Sequence, residues 1–244
     1  MTPADRRPRL CLLPGLDGTG RLYTPLLDAF RGAYDTEVLA YDSGRFSGYA
    51  ALVEALEPAL RWHTDTVLIA ESFAGPLAVM LAHRNPRHVR AVVLAASFVS
   101  APLPFSRACA EVLHRLPAMS LPMFALERVL AGGVLPPALR RELDAVLEAI
   151  PVEVLRQRAL AALRVDVRGQ LATLDLPLLH LQAGRDRLIA ARAGHEIVRL
   201  ARNAQQVVID APQFLFQLAP VAAADEIGRF LKRASILEGA RHDS

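Results

Sequence analysis

Thr66, Val67, Leu68 and Ile69 form a strand-like run that breaks into AESFAGP at positions 70–76, and the apolar helical stretch Leu77, Val79, Met80 and Leu81 follows at once. A strand that turns this sharply into a helix forces the corner residue into a strained backbone conformation and leaves no room for large side chains two positions to either side. Ala70 and Ala74 meet that demand, and Gly75 follows. Ser72 therefore stands at the corner as a candidate nucleophile. Alanine replaces glycine on both sides of the usual G-x-S-x-G string, so the flanking strand and helix carry the assignment more than the string does. The competing reading is a serine that caps an ordinary helix.

The rest of the chain alternates around this corner. Arg9 to Leu13 reads as a short buried strand running into PGLDGTG at 14–20, a glycine-rich loop without the Lys-Ser/Thr of a phosphate loop or the spacing of a dinucleotide fingerprint. A helix (YTPLLDAF), a strand at Glu37 to Tyr41, a helix from Tyr49 to about Leu60, the corner and its helix, and a strand at Arg90 to Ala95 come next. Strand rhythm returns with Leu176 to Ala183, a helix around Ala190 to Leu200, a strand at Gln206 to Asp210 and a last helix to about Leu231. Such alternation predicts a parallel α/β sheet flanked by helices. At 244 residues the chain fits one domain of this kind.

Between the two halves, about 101–170, the rhythm changes. Prolines at 102, 104, 117, 122, 136, 137 and 151 interrupt helical patterns such as LRRELDAVLEAI, and no strand is evident. The segment reads as a cap of short helices inserted at the carboxyl edge of the sheet, where α/β folds bind ligands. Asp17, Phe105, Met119, Met123 and Phe124 are candidates for lining a pocket beneath it. Equally, the apolar residues of the cap could simply glue its helices to the core.

Three stretches, LLPGLDGTG after the first strand, ESFAGP at the corner and GRDRL after a late strand, fall in the order found in the α/β-hydrolase superfamily, which the chain resembles over nearly its whole length. The resemblance implies a mostly parallel sheet of about six strands with the core at 1–100 and 171–244 and the cap at 101–170. It implies a serine hydrolase acting on carboxylic ester or thioester bonds, with Ser72 as nucleophile, Asp186 as the acid of the triad, and the backbone N–H groups of Leu16 and Phe73 as the oxyanion hole. It implies no cofactor.

The third member of the triad departs from the family. Where the pattern puts histidine, this chain reads Asp210-Ala211-Pro212-Gln213-Phe214-Leu215. A carboxamide cannot take up a proton near pH 7, which imidazole does readily. It is similar in reach, so its oxygen could accept from Ser72 while its NH2 donates to Asp186. An engineered His→Gln replacement and a natural member that binds ligand without turnover both fit. No other histidine is well placed: His83 ends the helix after Ser72, roughly 15 Å away at 1.5 Å per residue, His88 and His180 belong to strands, His195 to a helix leading away, His63 and His242 to a turn and the tail. His114, in the cap, is the remaining candidate.

Composition narrows the field further. The net charge of +3 comes from scattered arginines with one lysine, Lys232, and no basic run suggests nucleic acid. Cap arginines (Arg107, Arg115, Arg128, Arg140, Arg141, Arg156, Arg158, Arg164) could dock an acidic acyl carrier protein, although a solvated helix face accounts for them as well. Cys11 and Cys109 are far apart and no H-E-x-x-H occurs, so no metal is expected. With no apolar run near the roughly 20 residues of a membrane span and no hydrophobic segment after the charged N-terminus, the sequence reads as cytoplasmic.

Overall fold

The computed structural model describes residues 8–61, 65–103, 105–115, 122–234 and 236. Among these, β1 (Arg9–Leu13), β2 (Asp35–Val38), β3 (Thr66–Glu71), β4 (Val89–Ala95), β5 (Leu178–Ala183) and β6 (Ala204–Ile209) form one sheet in the order β2-β1-β3-β4-β5-β6. Every neighbouring pair is parallel, as the alternation predicts.

Alternate strand residues bury against opposite layers. Leu10, Leu12, Val67, Ile69 and Val93 pack with α1 (Thr24–Phe30) and α10 (Pro220–Arg233). Cys11, Leu13, Leu68, Ala70 and Leu94 pack with α2 (Tyr49–Arg61), α3 (Ala74–Arg84) and α9 (Ala191–Leu200). Burial on both faces is why the central strands read as unbroken apolar runs.

The topology opens a crevice at one place. From β1 the chain moves to β2 on one side, then crosses back to β3 on the other. The segment leaving β1 runs to α1 on one face and the segment leaving β3 runs to α3 on the other. Two neighbouring strands whose exits diverge leave a gap between their carboxyl ends, and α/β sheets bind ligands there. Residues 14–20 and Ser72 lie at that gap.

The insertion after β4 holds α4 (Ser106–Arg115), α5 (Met123–Leu130), α6 (Pro137–Glu148) and α7 (Val152–Ala162). Its ends meet where Val167 N–H donates to the Val99 carbonyl (2.8 Å) and Ser100 bridges Asp166. Val165, Val167 and Leu171 already belong to the core, so α8 (Arg168–Thr173) is part of the sheet's helical layer, a few residues before the expected boundary at 170. A smaller cluster of Leu135, Leu143, Val146, Ile150 and Val154 covers Leu22 and Phe214, which joins the cap to two loops at the crevice. None of the described helices is long and apolar enough to cross a membrane.

Candidate active site

Ser72 has φ 51°, in the left-handed region that a residue with a Cβ seldom adopts. Strain of this kind costs on the order of 1–3 kcal/mol and persists only where neighbours enforce it. Here Ser72 N–H donates to the Ala95 carbonyl (3.0 Å), and the Ser72 carbonyl accepts from Ser97 Oγ (2.6 Å) and Gly75 N–H (3.1 Å). Ser72 is thus a strand-to-helix corner, and the helix-cap reading does not hold: α3 shows no side-chain cap at its N-terminus.

Gly75 is indispensable to the corner. A Cβ there would lie 1.9 Å from Ser97 Oγ and 3.1 Å from the Phe98 carbonyl oxygen. Gly75→Ala is expected to destabilise the protein by about 2 kcal/mol through overpacking, and adding Ser97→Gly should recover part of that loss, both read by urea unfolding.

The two backbone donors assigned from sequence sit on either side of the crevice, and among the described residues neither Leu16 N–H nor Phe73 N–H is taken up by a protein hydrogen bond. Each is braced by aromatic residues. The Phe73 ring stacks on Tyr49 (centroids 4.8 Å apart, 20° between planes), whose hydroxyl donates to the Phe73 carbonyl (2.9 Å). On the other side Tyr23 Oη donates to the Leu13 carbonyl (2.7 Å) and Tyr41 Oη to that of Pro14 (2.8 Å). Asp17 is occupied locally, accepting from Thr19 N–H (2.9 Å) and Thr19 Oγ1 (2.6 Å).

Asp186 follows β5. Burial raises its carboxyl above the ordinary value, opposed by hydrogen bonds from Ile189 N–H (2.9 Å) and Leu188 N–H (2.8 Å), both to Oδ1. Oδ2 takes no protein hydrogen bond among the described residues. The loop after β6 is tied alongside: Gly184 N–H donates to the Ile209 carbonyl (2.8 Å) and Arg185 N–H to that of Ala211 (2.9 Å).

Gln213 is buried, at 2% exposure. The sequence-based expectation that it bridges Ser72 and Asp186 is not met: its NH2 donates to the Ala96 carbonyl (3.2 Å), and its Oε1 has no protein partner. Ala96 is the next residue after the one that holds Ser72 N–H, and its own φ of 44° turns its carbonyl out of strand geometry. Gln213 and Ser72 are therefore docked on consecutive carbonyls. The amide finds a nearby acceptor and leaves both the serine hydroxyl and Asp186 Oδ2 unbridged.

The described histidines lie elsewhere in the fold. His83 lies at the far end of α3 and contacts Thr173 Oγ1 (3.1 Å). His180 is buried in β5 with both ring nitrogens lacking a protein partner, and burial, aided by His195, pushes it down to about 4. It is a core residue. His114 is on the exposed outer face of the cap; His63 and His242 lie outside the described residues.

In the cap, Phe105 and Phe124 are solvent-exposed, at 85% and 74%, while Met123 packs into the cluster that joins cap to core. Met119 and the side chain of Arg107 lie outside the described residues. Three of the cap arginines already have acidic partners, Arg140 with Glu127, Arg156 with Glu153 and Arg164 with Glu111, and Arg158 is wholly buried.

Sequence reasoning passed over Glu71, the neighbour of Ser72. Strand alternation turns it to the face of Val67 and Ile69, where it is buried at 7% exposure and accepts from Gln217 Nε2 (3.1 Å). Desolvation pushes its carboxyl up to about 8, opposed by the Gln217 hydrogen bond and aided by Asp17. A glutamate at the end of a strand buried on both faces was the available signal.

A family model described as "Serine aminopeptidase, S33" matches residues 46–218. No curated relative matches in sequence. Among solved structures, a hydrolase from Pseudomonas aeruginosa shares 22% identity with a TM-score of 0.74, covering 92% of this chain and 90% of that one. A lipase-esterase related protein from Clostridium acetobutylicum is similar at 15% identity and TM-score 0.78, with 93% and 96% of the two chains covered. An enol-lactonase from Burkholderia xenovorans is similar at 15% identity and TM-score 0.76, covering 93% and 92%.

Proposed function

Because the chain belongs to the serine aminopeptidase S33 family of α/β hydrolases, we propose that it is a serine hydrolase scaffold for carboxylic esters or thioesters whose base position is silenced by Gln213. The observation that carries this reading is the strained backbone of Ser72 at the sheet's switch point, with φ 51°. Strain is retained where a side chain must project from a sharp corner, and a buried structural serine has no need of it.

In the proposed reaction Ser72 Oγ attacks the acyl carbon, and the Leu16 and Phe73 N–H groups receive the negative charge that develops on the carbonyl oxygen. The leaving alcohol or thiol departs with a proton, and water then cleaves the acyl-serine. Each step needs a group that takes a proton and returns it. Gln213 does neither at neutral pH, so in this chain the proton goes to and from water and turnover is slow. Binding and the oxyanion donors remain, and these alone support weak catalysis.

The ester-or-thioester assignment, as against the amino-terminal amide that the family model's description names, is tested with Gln213→His supplied with p-nitrophenyl acyl esters, acyl thioesters and aminoacyl p-nitroanilides. The expected ranking is ester and thioester well above anilide, since the better leaving groups need less proton donation. A preference for the anilides would transfer the chain to peptidase chemistry.

A further inference from the structure

Arg158 of cap helix α7 has no exposed surface, yet its side chain meets no carboxylate at hydrogen-bond distance among the described residues. Its guanidinium donates only to backbone carbonyls across the crevice: Nη1 to Leu16 (3.0 Å) and Asp17 (2.7 Å), Nη2 to Asp42 (2.7 Å). It lies over the rings of Tyr41 and Phe46, 5.7 and 6.0 Å from their centroids. A buried cation is costly unless several hydrogen bonds compensate it, and the planar fork of arginine can hold several carbonyls at once.

Two of those carbonyls, of Leu16 and Asp17, belong to the loop that carries the Leu16 donor. A peptide group is planar, so fixing its carbonyl fixes the direction of its N–H. The Pro14 carbonyl is held by Tyr41 Oη, that of Gly15 by Gly18 N–H (3.2 Å), and those of Leu16 and Asp17 by Arg158. The plane that bears Leu16 N–H is therefore pinned itself and flanked by pinned planes. Gly18 makes the approach possible, because a Cβ there would lie 2.8 Å from Arg158 Nη1 and 2.6 Å from Tyr41 Cδ2, at φ 72°.

We propose that Arg158 is a positioning residue through which the cap sets the oxyanion donor of Leu16. The cap is then not merely a cover, because its seating decides whether the site can stabilise charge. This rests on the serine-hydrolase reading above, which makes Leu16 N–H an oxyanion donor.

The test follows phosphonylation of Ser72 by a fluorophosphonate, and ester kinetics, in Gln213→His with and without Arg158→Met, alongside hydrogen exchange over residues 14–20 in the otherwise unaltered chain. Loss of one oxyanion donor costs about 10²–10³-fold in kcat. Arg158→Met is expected to slow phosphonylation and lower kcat by about 10²-fold with KM nearly unchanged, and to speed exchange over 14–20. Arg158→Lys, with a charge but no fork, should fall between, and it serves as the reading if the methionine variant does not fold. A folded variant that phosphonylates at the parent rate, or whose loss is confined to KM, overturns the proposal. If Gln213→His itself is never labelled at Ser72, the hydrolase reading fails instead. Exchange over 14–20, which needs no catalysis, then still decides whether Arg158 positions the loop: unchanged protection overturns it.

Discussion

Gln213→His is expected to raise ester turnover by about 10³-fold or more. Removing one member of a catalytic triad typically costs on the order of 10⁴–10⁶ in kcat, and a restored histidine that is not perfectly aligned should recover much of it. The surroundings favour recovery. Gln213 is already buried, and its NH2 holds the carbonyl of Ala96, just past the end of β4. On the proposed reading an imidazole there would donate to Asp186 from one ring nitrogen and accept from the Ser72 hydroxyl at the other. The pH profile should change with the rate. The parent carries at position 213 a carboxamide that does not titrate, whereas kcat/KM of the variant should rise through the ordinary histidine range, around pH 6.5. A flat profile with unchanged rate would mean that the slot does not present histidine to Ser72.

The second large effect concerns stability. Glu71 titrates at about 8 in the folded protein against an ordinary 4.5. Below 4.5 the acid is neutral in both states and costs nothing. As pH rises from there to 8 the unfolded chain ionises first, so folding loses free energy steadily across this window, and above 8 the loss is complete. At 1.36 kcal/mol per pKa unit the full loss is at most about 5 kcal/mol. Glu71→Gln mimics the neutral acid and keeps an oxygen for Gln217. It should therefore match the parent near pH 4 and exceed it at pH 9, by about 10 °C in Tm for a chain of this size. Thermal unfolding of both proteins at the two pH values checks this; an equal difference at both would show that ionisation of Glu71 is not involved.

The sequence made the central strands, the helical insertion and the Ser72 corner legible, because each carries a pattern that one physical rule produces. The edge strands were read less well. β2 begins at Asp35 instead of Glu37, and β6 at Ala204 instead of Gln206. An edge strand is paired on one side only and can afford polar residues: Arg9 holds Asp35 (3.0 Å) and Glu37 (2.9 Å) in β2, and β6 contains Gln205 and Gln206. No apolar run marks where such a strand starts.

Arg158 was hidden for another reason. By residue type it counts with the solvated cap arginines, since arginine is almost never fully buried unless paired. The helical spacing held a hint, because Val154 and Arg158 are four apart and both are buried. What no pattern could carry is the identity of its partners. They are backbone carbonyls, which every residue has, between 116 and 142 positions away.

The most direct test of the central claim is mass-mapped fluorophosphonate labelling of three proteins: the chain itself, Gln213→His, and Gln213→His with Ser72→Ala. If Ser72 is the nucleophile and position 213 its silenced base, the label falls on Ser72 faintly in the first and heavily in the second, and disappears from the third. Labelling at another residue, or labelling of Ser72 that histidine leaves unchanged, would contradict the account.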